Sequence, residues 1–292
     1  MSVSFEFIGE HRCGLGESPL WDPELRRLYW IDSMAPAIWR HDMATGVQEA
    51  FTAPDRVGSI ALGARGVLIA GLADGVYRVD LESRGFDPIL RPKALGPGER
   101  LNDGKADRTG RLVTGSLATD PGDPTAGKLY RFDIDGSCAV LETGIAVSNA
   151  LCFSPQGDLL YFADSVTQKI WVYDYEAATG RAESRRVLID TTGLNSVPDG
   201  ATVDAEGHLW VALVYSQQIA RFTPEGQLDR LIDVPVPFPT CPAFGGDHLD
   251  VLYVSSISDS RGRLKSDHPN AGRLMAIKGL GARGLAEPRC RL

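Results

Sequence analysis

No stretch of this chain approaches the run of about 20 apolar residues that a membrane-spanning helix needs, and no apolar core of a secretory leader stands near its start. Cysteine is sparse. The five residues, at 13, 138, 152, 241 and 290, are odd in number and lack paired spacing. That argues against a disulfide framework and suits a reduced, cytoplasmic protein. Positive charge is also short: 30 Lys and Arg against 38 Asp and Glu give a formal net charge of −8, spread without blocks. Nucleic acid and anionic membranes are therefore not expected as partners. The five histidines are scattered at 11, 41, 208, 248 and 268, and neither His208 nor His248 is assigned to a metal. No Gly-x-Ser-x-Gly elbow marks a serine nucleophile, and no long stretch keeps a helical period.

What the chain has instead is a repeat. A turn-and-strand phrase recurs six times, anchored at Asp22, Gly63, Asp107, Ser154, Asp204 and Gly246, with separations of 41, 44, 47, 50 and 42 residues. After each anchor comes a short apolar run, such as LYWID (28–32), LLYFAD (159–164) and HLWVAL (208–213). A third run follows in most units, such as KIWVYD (169–174). Alternation, β-branched and aromatic enrichment, and bounding Gly, Pro, Asp or Asn make these strands. A period of about 40–50 residues carrying about four strands is the mark of a β-propeller. The fold class is therefore all-β, a six-bladed propeller, and residues 1–292 are expected to form one cooperative domain. The N-terminal run SFEFIG (4–9) is expected to supply the outer strand of the last blade and close the ring, covering an open sheet edge. The tryptophans at 21, 30, 39, 171 and 210 are expected in blade-to-blade packing.

Five residues before each anchor stand, in order, Glu17, Gly58, Asn102, Asn149, Asp199 and Cys241. In a propeller these positions ring one mouth of the central channel. Glu17, Asn149 and Asp199 offer oxygen atoms from three blades, and two carboxylates converging on one axis repel unless something positive lies between them. An all-oxygen set points to a hard divalent ion. The alternative on spacing alone is that these residues cap inner strands and bind channel water. Cys241 is read as a wall of the pocket beside Pro242, and Gly58 and Cys241 as marking sides left open for a ligand. Loops after the second strand of each blade belong on the same mouth. Two of them, 117–126 and 257–271, exceed hairpin length and are read as lids or specificity elements. Arg100 belongs there too, with a guanidinium fork for a ligand oxygen. Asp32 and Asp164, ending second strands, are read as acceptors for backbone N–H groups in turns.

The segments GLGESPLWD (14–22), LYWIDS (28–33), RLNDGKADRTGRLVTGSL (100–117), VSNALCFSPQGDLLYFADS (147–165), PDGATVDAEGHLWVAL (198–213) and PTCPAFGGDHLDVLYVSS (239–256) closely resemble those of the regucalcin (senescence marker protein)/gluconolactonase family. The resemblance runs across all six units. It implies a six-bladed propeller that binds one divalent cation in its channel and hydrolyses sugar lactones. It also implies Glu17, Asn149 and Asp199 as metal ligands, and Arg100 and Asn102 as substrate contacts. An acidic lid residue of some members falls at Asp120, here after a strand end that reads GSL. Calcium is the expected ion, with zinc, magnesium, manganese and iron(II) as alternatives. The expected reaction opens a gluconolactone-, xylonolactone- or arabinonolactone-like ring, with Asp199 as general base as well as ligand. The expected partner is a small-molecule sugar lactone, and the expected state a monomer or weak homodimer. The same fold would also suit a phosphotriester or aryl-ester hydrolase, or a non-catalytic calcium-binding propeller.

Overall fold

The computed structural model describes residues 2–292. It contains six four-stranded antiparallel sheets, and in five of them the strands follow chain order from the channel outward. The inner strands are Gly16–Asp22, Val57–Leu62, Glu99–Ala106, Ser148–Phe153, Pro198–Val203 and Pro239–Gly245. Each packs against the inner strand of the next blade, and the last returns to the first, which makes the ring. The sixth sheet takes its outer strand from the N-terminus: Ser4–Ile8 pairs antiparallel with Leu274–Lys278, from Ser4 opposite Lys278 to Ile8 opposite Leu274. The closure expected from SFEFIG is thus present.

Period-two alternation explains how so thin an element buries both faces. In the second strand of blade one, Tyr29 and Ile31 join a cluster shared with blade two, while Leu28 and Trp30 join one shared with blade six. In blade five, Leu209, Val211 and Leu213 face blade four, and Trp210 and Ala212 face blade six. Six apolar clusters result, one in each blade-to-blade interface. Burying one such large side chain is worth about 1.5–3 kcal/mol, so the core is a ring of interfaces and no blade is self-sufficient. Trp21 stacks on Tyr253 and Trp210 meets Phe244 edge-on, both across interfaces. Trp39 and Trp171 are only partly buried; they pack against the clusters between blades six and one and between blades three and four, and stack on Trp30 and Phe162 of their own blades.

The anchor residues have a local reason. Asp22 Oδ1 accepts the amides of Glu24 and Leu25, Asp107 Oδ1 those of Thr109 and Arg111, and Asp204 Oδ1 those of Glu206 and His208. Ser154 Oγ does the same for Asp158 and Leu159. A short side-chain acceptor thus fixes four of the six turns after the inner strand, and glycine, Gly63 or Gly246, stands at the other two.

One feature escaped sequence reasoning. The C-terminal segment crosses the far end of the channel, tied to turns of several blades. Gly284 N donates to Leu249 O at 2.7 Å, Cys290 N to Leu62 O at 2.6 Å and Arg291 N to Gly110 O at 2.8 Å. Arg289 reaches Gly63 O and Asp22, and Glu287 pairs with Lys105 at 3.2 Å. Between Lys105, Cys152, Leu285 and Glu287 a cavity of about 10 Å³ remains, room for roughly one water. The tail stoppers the channel, leaving the ring of Glu17, Asn149 and Asp199 to be reached from the opposite mouth.

Candidate functional site

All six inner strands slip register against their second strands at the same place. The shifts fall between Glu17 and Leu20, Val57 and Ser59, Leu101 and Gly104, Asn149 and Cys152, Pro198 and Ala201, and Pro239 and Pro242. A bulge bends the strand and re-aims side chains, and here it does so at every mouth position. In blades one and four the residue after the ring position is left-handed, Ser18 at φ 47° and Ala150 at φ 51°. Each costs about 1–2 kcal/mol for a residue with a Cβ, a strain that clusters at functional sites.

Glu17, Asp199 and Asp103 are brought into one electrostatic group. Each is half-buried, with one side on the channel. Burial pushes the Glu17 carboxyl well above the usual range, and the charges of Asp199 and Asp103 push it further. Asp199 is likewise raised well above its ordinary value by burial and then by Asp103. Burial also raises Asp103, against an amide bond from Leu151 N at 2.9 Å and the charge of Lys105. Asp103 was not among the residues singled out from sequence. Simple alternation turns it away from the side that Asn102 occupies, and only the bulge at 102–103 brings both to the channel. The neighbouring positive charge is committed elsewhere: Lys105 Nζ sits on Glu287 and donates to Ala201 O at 3.3 Å.

A hydrogen-bonded line sorts the asparagines. Arg100 Nη1 donates to Leu101 O and Asn102 Oδ1, both at 3.0 Å. Asn102 Nδ2 donates to Ser148 O at 3.0 Å and to Asn149 Oδ1 at 3.4 Å. Asn149 Nδ2 donates to Ser165 Oγ at 2.8 Å, and Ser165 Oγ to Pro198 O at 2.7 Å. The oxygen of Asn102 is thus engaged by Arg100, whereas that of Asn149 receives only the long Asn102 contact. Glu17, Asp199 and Asn149 all offer oxygen, the donor type that a hard divalent cation takes, and the repulsion between the two carboxylates is what such an ion would relieve. Burial, then the charge of Arg56, lowers Arg100 to about 10, so it stays cationic at neutral pH.

Other expected residues fall elsewhere. Asp120 lies on the exposed loop between Leu112–Ala118 and Gly127–Phe132, where its Oδ1 accepts Gly122 N at 2.8 Å. It is not joined to the Arg100–Asn102 pair. Gly58 leaves no open side, since a Cβ there would sit 2.5 Å from Leu101 O and 2.7 Å from Asn102 Cα. The missing side chain lets blades two and three close together. Cys241 is buried, its thiol raised by burial and then by the charges of Glu17 and Asp103, and packs against Gly200 of blade five. Asp32 accepts the amides of Gly14, Leu15, Met34 and Ala35, and Asp164 those of Ala146, Val147 and Val166, the turn role expected of both. The groups of three His, Cys, Asp or Glu whose possible ligand atoms lie within 4.8 Å of one another, among the described residues, are His11 with Cys13 and Asp32, and Asp204 with Glu206 and His208; the channel carboxyls stand farther apart. Neither resembles an ion site, because Asp32 is occupied by four amides and Asp204 Oδ2 by Arg221 and Trp210.

Residues 15–258 match the family model described as the SMP-30/Gluconolactonase/LRE-like region. Among curated proteins, a pentonolactonase of Haloferax volcanii is 32% identical over 246 residues, spanning 84% of this chain and 82% of its own. A 6-deoxy-6-sulfogluconolactonase of Pseudomonas putida is 31% identical over 290 residues, 99% of both chains. Among solved structures, a calcium-binding protein, regucalcin, from Agrobacterium tumefaciens superposes with a TM-score of 0.91 at 27% identity, covering 98% of this chain and 97% of that one. No helix of the described residues is long and apolar enough to cross a membrane. With the ring of blades, the bulged channel mouth and these likenesses together, the chain belongs to the SMP-30/gluconolactonase/LRE-like family.

Proposed function

We propose that this protein is a carboxylic ester hydrolase that opens a sugar-acid lactone to the free aldonic acid, with one divalent cation, calcium first among the candidates, held by Glu17, Asn149 and Asp199. The observation that carries this reading is that the Glu17, Asp103 and Asp199 carboxyls act on one another by charge, at the level where the Asn149 oxygen receives only the long bond from Asn102, in a channel stoppered at its far end. The names of the pentonolactonase and the sulfogluconolactonase support the lactone class, and that of the calcium-binding regucalcin supports the ion. When bound, the cation supplies the positive charge that an oxyanion developing on the lactone carbonyl requires.

The protein's own groups divide the remaining work. Asp199 takes a proton from a water whose oxygen bonds to the acyl carbon. The bond from that carbon to the ring oxygen breaks, and Asp199 returns the proton to the departing alkoxide, leaving a hydroxyl and a carboxylic acid. Arg100 spends only Nη1 on the chain among the described residues, so its other N–H groups can orient sugar hydroxyls, with Asn102 locked beside it. Proton release from gluconolactone, xylonolactone, arabinonolactone and galactonolactone, with calcium or with chelator, tests the reading. Metal-dependent acceleration over spontaneous opening is expected for at least one. Faster turnover of aryl esters or phosphotriesters than of every lactone would replace it.

A further inference from the structure

We propose that Glu99 is a positioning residue for the reaction: it fastens the arm that carries Arg100 and Asn102, together with both ends of loop 117–126, into one preformed wall of the channel mouth. This rests on the lactonase reading and concerns how the substrate arm is held.

Beyond its bulge, each inner strand runs on toward the mouth with little ladder to hold it. Blade three has the longest such stretch, three pairs from Glu99 opposite Ala118 to Leu101 opposite Ser116, where the other blades have one or two. Arg100 sits in the middle of that stretch, and its guanidinium folds back onto Leu101 O and Asn102 Oδ1 of the same strand. Where the guanidinium stands therefore follows from where residues 99–102 stand.

In blades one and four the corresponding stretch is fastened by a carboxylate from the second strand. Asp32 lies opposite Gly16 and accepts the amides of Gly14 and Leu15, and Asp164 lies opposite Ser148 and accepts those of Ala146 and Val147. In blade three that place is taken by Ser116, opposite Leu101, whose hydroxyl accepts the amide of Lys128 and donates to Glu99. The carboxylate there comes from the inner strand, as Glu99. Of the residues three places before the ring positions, Gly14, Asp55, Glu99, Ala146, Ser196 and Phe238, only Glu99 is a buried carboxylate.

Glu99 Oε2 accepts Ser116 Oγ at 2.8 Å and Tyr130 OH at 3.2 Å, and Oε1 accepts Gly96 N at 3.0 Å and the Lys128 ammonium. Lys128 also donates to Ala126 O at 3.0 Å, and Thr119 N to Gly98 O at 2.7 Å. Ser116 and Lys128 bracket loop 117–126, so one carboxylate holds both of its ends and, through Gly96, the turn that leads into Arg100. Burial works against ionisation, but Lys128 and the bonds from Gly96 and Ser116 outweigh it and hold the carboxyl below its ordinary range. With four donors on its two oxygens the carboxylate is satisfied within the protein, and charge-assisted bonds of this kind are the strong ones. Its part in the reaction is to place Arg100, because small displacements of a substrate-holding group are felt strongly in turnover.

The test is a double-mutant cycle between Glu99 and Arg100, read on the lactone that the protein opens fastest. Glu99→Ala should raise KM about tenfold and change kcat less than about threefold, because the arm holds ground state and transition state alike, and Glu99→Gln should recover part of the loss. In an Arg100→Ala background the same substitution should cost less than about twofold, since the two residues act through one contact. Calcium affinity in calorimetric titration should hold, because Asn149 is oriented by Ser165 and not by the arm. Should Glu99→Ala not fold, Ser116→Ala and Tyr130→Phe each remove one bond and should raise KM about threefold, again only while Arg100 is present. An equal loss in both backgrounds, or an unchanged KM in folded variants, overturns the inference and leaves the lactonase reading standing. If the parent opens no lactone, both fall.

Discussion

Asn149 donates through Nδ2 to Ser165 Oγ at 2.8 Å, and Ser165 Oγ donates in turn to Pro198 O at 2.7 Å. The pair spans blades four and five and turns the Asn149 oxygen toward the channel. Groups that orient a metal ligand typically matter by 10–100-fold in affinity. Ser165→Ala should therefore weaken calcium binding by about tenfold in calorimetric titration. It should also cost about 1–3 kcal/mol of stability, because Asn149 Nδ2 and Pro198 O lose a partner away from bulk water. An unchanged dissociation constant would remove Asn149 from the cation set.

Asp199 separates catalysis from architecture. Its carboxyl is raised by burial and by Asp103, so the ionised form is a burden on the metal-free fold. Asp199→Asn keeps the shape and removes that charge. Turnover of the best lactone should fall by about 10²–10⁴-fold, while the melting temperature in chelator rises or holds. A variant that retains activity would show that another group moves the proton. One that fails to fold would assign the residue a structural part.

Much of this was legible in the sequence because the repeat fixes a period and the period fixes a ring. Glu17, Asn149 and Asp199 could be placed on one mouth from their offset to the turn residues alone, and Ser4–Ile8 could be matched to the vacant edge of blade six. Asp103 was hidden because strand alternation is the rule by which a sequence is read, and a bulge breaks that rule locally. Its signal is the run of two polar residues, Asn102 and Asp103, at the level where the other inner strands also slip. The tail beyond Lys278 carries no strand pattern, since its hydrogen bonds go to scattered turn carbonyls and not to a ladder.

That tail makes its own prediction. Lys105 Nζ lies 3.2 Å from Glu287 Oε1, with both side chains largely buried. Glu287→Gln leaves the ammonium inside the channel with Asp103 as the remaining carboxylate that acts on it. Breaking such a pair from one side costs roughly 3 kcal/mol, a loss of several degrees in melting temperature. Adding Lys105→Met should recover a good part of it, since the stranded charge is then gone. A single variant as stable as the parent would mean that the tail is a passive cover.

The three channel carboxyls set a pH dependence whose direction depends on the cation. In metal-free protein Glu17, Asp103 and Asp199 all have folded-state values above their ordinary range. A raised value means the folded chain holds protons that the unfolded chain releases from about pH 4 upward. The stability they contribute is complete below that point and is lost as pH rises through the folded values. Measured in chelator, the urea midpoint should therefore decline from weakly acidic toward neutral pH. Calcium reverses the sign, because binding requires the ionised ligands and so strengthens as they lose protons. With saturating calcium the midpoint should hold or rise over the same interval, and at 100 times the dissociation constant the gap between the two curves should approach about 2.7 kcal/mol. Asp103→Asn should flatten the chelator curve and leave the calcium curve sloping as before, because Asp103 lies outside the proposed ligand set. Two parallel curves, with and without calcium, would mean that these carboxyls do not hold the ion.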